Sequence, residues 1–160
     1  MGPILPPPGP GNDWHSDHVA RLAGALLRTG GPDLIRDLRL DPAHLGQSAW
    51  EGDFALLSHR GDVRATLNYA NRFALDLWEM DWAQLTATPS EATAPNDDVA
   101  ERAGMMQTVA HRGFVSGYSG RRISARGRLF IIENVTIWRL MEKDGSPFGA
   151  AASFKTFRRV

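Results

Sequence analysis

Four side chains able to ligate a metal or move a proton fall within six residues, DWHSDH (13–18): Asp13, His15, Asp17 and His18. The two histidines are three apart, so on a helix both imidazoles could reach one ion. The same stretch opens an apolar-periodic run, where Asp and Ser more naturally cap the first turn, and capping is the expectation. GYSG (117–120) lacks the spacing of a G-x-S-x-G nucleophile elbow and precedes a strand pattern, not a helix. The glycines at 113, 117 and 120 are followed by no Lys-Ser/Thr and open no helix, so they form neither a phosphate loop nor a dinucleotide fingerprint. Acidic neighbours such as Glu79 with Asp81, or Asp97 with Asp98, suit turns and caps better than acid–base partnership. The chain has no cysteine, which removes disulfides, thiolate nucleophiles, Cys-ligated zinc or iron–sulfur clusters, and cysteine-adduct photochemistry. A protein without catalytic residues or a metal site is expected.

The 160 residues suffice for one domain with a sizeable core. Lys plus Arg is 18 and Asp plus Glu is 18, so no overall field draws the chain to nucleic acid or an anionic membrane. The basic end KTFRRV reads as a solvated terminus. No apolar run approaches the ~20 residues of a bilayer span. The start, MGPILPPPGPGND, has no basic n-region and is broken by prolines, unlike a signal peptide. A cytoplasmic protein is expected.

The elements that must position these groups divide the chain into three parts. Residues 1–15 read as a flexible Pro/Gly-rich arm. Residues 16–51 form a helical extension, in which Val19, Leu22, Ala23, Leu26 and Leu27 recur at helical spacing before Gly30-Gly31. PDLIRDLRL (32–40) and DPAHLGQSAW (41–50) follow as short helical pieces. Residues 52–160 form the main domain. FALLSH and RATLNYA read as strands joined at RGD, a turn and not an adhesion signal. Asn71 can cap the helix RFALDLWEM. Asp97 or Asp98 starts a longer helix with Val99, Ala103, Met106 and Val109 or Ala110 along one stripe.

Three strands close the chain: FVSGYSGRRISA, RLFIIENVTIWRLME and FGAAASFKTF. In the middle one, Leu129, Ile131, Val135 and Ile137 alternate with Phe130, Ile132 and Trp138, so both faces must be covered. The inner helices cover one; the N-terminal helix, from this chain or a second subunit, covers the other. The fold class is α+β, a five-stranded antiparallel sheet with helices on one face and an N-terminal amphipathic extension.

Three segments, LNYANRFALDLWEMDWAQLTATPSEATA, ERAGMMQTVAHRGFVSGYSGRRIS and GRLFIIENVTIWRLMEKDG, resemble the MEKHLA domain over roughly residues 16–157. That family is similar to PAS domains and occurs as stand-alone bacterial proteins and at the end of plant homeodomain–leucine zipper regulators. The resemblance implies a PAS-like sheet cupping small helices around a cavity, and brings no cofactor or reaction with it. Trp78, Trp82, Met105, Met106, Phe114, Asn134, Trp138 and Phe154 are the candidates for the pocket, with the small residues of GAAAS leaving room in the cup. Light-sensing flavin chemistry in such relatives needs the cysteine this chain lacks. Haem-binding relatives take an axial histidine from the region of His111, but a His in a last helical turn is also favoured by the helix dipole and then faces water. The cofactor stays unassigned. The expected function is a sensory or regulatory module, homodimeric through Val19, Leu22, Leu26 and Leu27, that binds a small hydrophobic or aromatic ligand and signals to a separate output protein. Two alternatives stand beside it: a ligand-free interaction adaptor, and a small enzyme using His111, Glu133 or Tyr118 in the same cup.

Overall fold

The computed structural model describes residues 5–160. Helix α1 (Ser16–Arg28) is followed by the short α2 (Leu34–Asp37) and α3 (Leu45–Trp50). Strands β1 (Ala55–Arg60) and β2 (Leu67–Ala70) precede α4 (Arg72–Trp78), α5 (Trp82–Leu85) and α6 (Val99–Arg112). The chain closes with β3 (Phe114–Ile123), β4 (Leu129–Met141), β5 (Pro147–Phe154) and β6 (Thr156–Arg159). The sheet order is β2-β1-β5-β4-β3, and every pairing is antiparallel. The last strand, expected as one segment, breaks at Lys155. Its second part, β6, continues along β4, with Thr136↔Ser153 giving way to Glu133↔Thr156. Six strands therefore stand where five were expected, in the same layout.

Between β1 and β2 the chain does not make a tight RGD turn. Asp62 closes a wider loop, its carboxylate accepting from Thr66 N and Thr66 Oγ1 at 2.7 and 2.8 Å. The step from sheet to inner helix is secured by Asn71, which is fully buried. Its Oδ1 accepts from Ala74 N, capping α4, and from Leu56 N of β1. Its Nδ2 donates to Ala49 O and Phe54 O at 2.9 and 2.7 Å. One side chain thus ties α3, β1 and α4 together, with both amide protons spent.

The expected faces of β4 hold only up to its middle. Asn134 takes φ 53°, a left-handed conformation that Asn tolerates better than most residues. The β3–β4 register slips between Tyr118↔Val135 and Gly120↔Ile132, which places one extra residue in β4. Phe130 and Ile132 consequently share the inner face with Val135 and Ile137, rather than opposing them. Trp138 stays on the outer face.

That outer face is covered by the chain's own α1, which buries Val19, Leu22, Ala23, Ala25 and Leu26. Trp138 is fully buried and its Nε1 donates to Leu22 O at 2.9 Å, pinning the helix to the strand. Three of the four residues expected to pair subunits (Val19, Leu22 and Leu26) are therefore occupied within the chain; Leu27 alone is exposed, at 52 %.

The expected mobile arm is tied back by backbone carbonyls at Leu5 and Pro6 while Leu5, Pro6 and Pro7 stay exposed, and its residues 1–4 lie outside the described residues. Leu5 O accepts from Trp82 Nε1 at 2.9 Å, and Pro6 O lies 2.7 Å from His15 Nε2. Asp13, Trp14 and His15 make a short left-handed turn (φ 51°, 54° and 59°), costing about 1–2 kcal/mol per residue. α3 closes on it so tightly that a Cβ on Gly46 would lie 2.4 Å from Trp14 O. DWHSDH does not cap α1 as expected: His15 occupies the cap position without a side-chain bond, and Ser16 Oγ accepts from Gly46 N.

Candidate functional site

Between the inner sheet face and α4 and α6 lies a cavity of about 50 Å³, room for on the order of one or two waters. Much of its wall is apolar: Leu57, Leu67, Trp78, Ile132, Val135 and Ile137 line it. Trp78 is fixed by edge contacts to Phe130 and Phe154, with ring centres 5.2 and 6.1 Å apart, and by donation from Nε1 to Thr93 O at 3.3 Å. Ala150, Ala151 and Ala152 of β5 supply the small side chains that leave the space open. Met105 and Met106 close it from α6 and remain half-exposed. Of α6's described residues, only Val109 is buried.

The rest of the wall is polar and cationic, formed by His59, Ser90, Thr93, Arg102 and Arg122. Strand alternation sends Ser58 outward and His59 inward. His59 Nδ1 lies 3.1 Å from Arg60 O, so Nδ1 carries the proton, since a carbonyl only accepts. Nε2 is left as a buried acceptor with no partner among the described residues. Burial is the main influence holding the imidazole below its ordinary pKa, and Arg102 adds to it. Arg122 is 5 % exposed; it donates to Arg121 O at 2.7 Å and to Tyr118 OH at 3.5 Å. Arg102 donates to Ser90 Oγ. Burial, followed by repulsion from Arg122, lowers its pKa. No carboxylate lies within ion-pair distance of either arginine among the described residues. Glu101, next to Arg102 in sequence, accepts from Tyr118 instead, and Asp97 and Asp98 both bind Arg121, at 2.8 and 2.9 Å.

Of the eight expected pocket residues, the cavity brings together Trp78, Met105, Met106 and Phe154. The other four lie elsewhere. Trp82 packs edge-on against Tyr69 and His15, under the folded-back N-terminus. Phe114 starts β3 opposite Trp138. Trp138 faces α1, and Asn134 is exposed at the bulge. The acid–base candidates do not converge: His111 is exposed, Glu133 is 3.6 Å from Arg158, and Tyr118 donates to Glu101 at 3.2 Å. His18 Nε2 lies 3.0 Å from Ser58 Oγ, whose own proton goes to Asn68. Burial pushes the His18 pKa down to about 4.

Two larger hollows are surface troughs. One, of about 950 Å³, runs past Arg21, Arg28 and Lys143; the other, of about 290 Å³, runs past Asn134 and Lys155. Several of their charges are already engaged, Arg21 with Glu142 at 3.5 Å and Lys155 with Asp37 O at 3.1 Å. Arg139 Nε is buried beside the first without a partner among the described residues, but neither trough sets such a group against an apolar wall as the inner cavity does.

A sheet of order β2-β1-β5-β4-β3, with short helices and a cavity on one face, defines a PAS-type fold. Solved PAS structures align accordingly. A PAS domain from Colwellia psychrerythraea matches at TM-score 0.60 and 14 % identity, over 71 % of this chain and 92 % of that one. An RNA-binding light-oxygen-voltage receptor matches at 0.60 and 18 %, over 70 % of this chain but only 32 % of that longer one. The PAS domain of a LuxR-family regulator from Burkholderia thailandensis, solved with ethanol, matches at 0.53 and 18 %, over 71 % and 96 %. The family model of the MEKHLA domain matches residues 16–159, and the chain belongs to that family. No curated protein matches it. No described helix is long and apolar enough to cross a membrane.

Proposed function

We propose that this MEKHLA domain is a non-enzymatic regulatory module that reads the content of its inner cavity and passes the state to α1. The observation that carries this reading is the position of two adjacent residues on β4. Ile137 lines the cavity, while Trp138, one peptide away on the opposite face, holds Leu22 O of α1. A side chain displaced on the inner face shifts the strand that anchors the outer helix. A ligand acts in this way to the extent that it binds one arrangement better than the other.

Several features support ligand reading over a plain adaptor. The cavity keeps a histidine nitrogen unpartnered at its wall, whereas a domain used only for its surface gains nothing from that cost. Its α6 wall is made of half-exposed methionines, which repack easily. Pairing of copies through Val19, Leu22 and Leu26 requires α1 to leave its own sheet, so we place output in the exposed side of α1 and in a separate partner protein.

Native mass spectrometry of protein from its own host tests the reading. A bound small molecule that is released on denaturation supports a sensor. A bare mass under conditions that retain fold favours the ligand-free adaptor.

A further inference from the structure

We infer that the inner cavity is built for a short-chain carboxylate, its charge held by Arg102 and Arg122 and its tail by the apolar wall. This rests on the ligand-reading function above and names the chemical class read. Two guanidiniums line one small pocket, Arg122 5 % exposed and Arg102 half-buried, and neither has a carboxylate partner within ion-pair distance among the described residues. Burying like charges together is costly unless a counter-charge is present. The acidic side chains nearby stay beyond ion-pair distance of both arginines: Glu91 and Glu101 act on Arg102 only at longer range, Glu101 accepts from Tyr118, and Asp97 and Asp98 bind Arg121.

The hydrogen bonds point the same way. A guanidinium carries five N–H donors in a planar fork. Arg102 spends one on Ser90 Oγ, and Arg122 two on Arg121 O and Tyr118 OH. A planar carboxylate fits that fork bidentately. At about 50 Å³ the cavity is tight, which favours a compact acid with few carbons, admitted as Met105 and Met106 repack. The opposite wall of Leu67, Trp78 and Ile132 suits a short apolar tail and offers nothing to a second charge.

The test is an NMR titration of the full chain with propionate, beside propionamide, 1-propanol and inorganic phosphate. Saturable amide shifts at Arg122, Ile137 and Arg102 with propionate, at least tenfold weaker with the two neutral probes, are expected. In Arg122→Met the propionate affinity should fall at least tenfold. That variant should also melt higher than the parent without ligand, because an unpaired cation has left the interior. If it does not fold, Arg102→Gln serves for the affinity comparison. Neutral probes binding as well as propionate would overturn the carboxylate assignment and leave ligand reading intact. Phosphate binding more tightly than propionate would likewise overturn it, reducing the site to an anion hole without use for the tail. No shift with any probe also overturns it, while host-derived mass spectrometry separately decides the sensor reading.

Discussion

The two faces of β4 are packed to different standards. On the outer face α1 buries five side chains and is tied by the Trp138–Leu22 hydrogen bond. On the inner face α6 buries only Val109 among its described residues and leaves methionines and an arginine around a void. Well-packed interiors transmit strain, and loosely packed ones absorb change. The difference teaches which helix yields and which reports: α6 is the compliant wall, and α1 is the rigid coupler.

Paired truncations give the sharpest contrast. Leu22→Ala is expected to cost roughly 3–4 kcal/mol in urea unfolding, because α1 cannot collapse into the gap. Met106→Ala should cost about 1 kcal/mol, since its site is half-open already. Similar costs at the two positions would break the comparison.

Acid should loosen the outer face next. His18 is held neutral in the fold, at a pKa of about 4 against 6.5 when unfolded. The unfolded chain therefore binds more protons between those values, and stability falls as pH drops from 6.5 to 4. The contribution is full above 6.5, and at pH 5 about 2 kcal/mol of it is gone relative to pH 7. His59, lowered mainly by burial, acts in the same direction. Urea melts across this range check the slope, and His18→Gln should flatten it. The carboxylates of Asp41, Asp62 and Asp98, held below their ordinary range chiefly by hydrogen bonds, lose their contribution only at lower pH.

Smaller still is Trp138→Phe, which keeps most of the packing and removes one hydrogen bond, at about 1–2 kcal/mol. Its expected signature is faster amide exchange in α1 with α6 unchanged. Leu27→Ser, on the exposed edge of α1, should alter stability by less than about 0.5 kcal/mol. Sedimentation of that variant shows whether Leu27 carries any pairing of copies.

Much of this frame was legible in the sequence, because periodicity and caps are local signals. Asn71 before an aliphatic run announced the α4 cap, and the strands of the second half followed from alternation. What escaped reading was non-local. The bulge at Asn134 resets the alternation of β4 by one residue, so the sequence pattern misassigned two of its inward side chains. The return of Leu5 to Trp82 spans 77 residues, and no short-range pattern marks it. Arg102 and Arg122 were passed over because arginine is ordinarily a surface residue. A signal did exist for Arg102: it lies three and four residues before Met105 and Met106, on the same helical face. Arg122 pairs across the sheet with inward-facing Phe130, a relation visible only once the register is known.

Amide hydrogen exchange of the free protein, resolved by helix, tests the central contrast most directly. The account predicts that the central amides of α1 exchange only through global unfolding, while those of α6 exchange at least tenfold faster through local opening. Equal protection of the two helices, or faster exchange in α1, would contradict it.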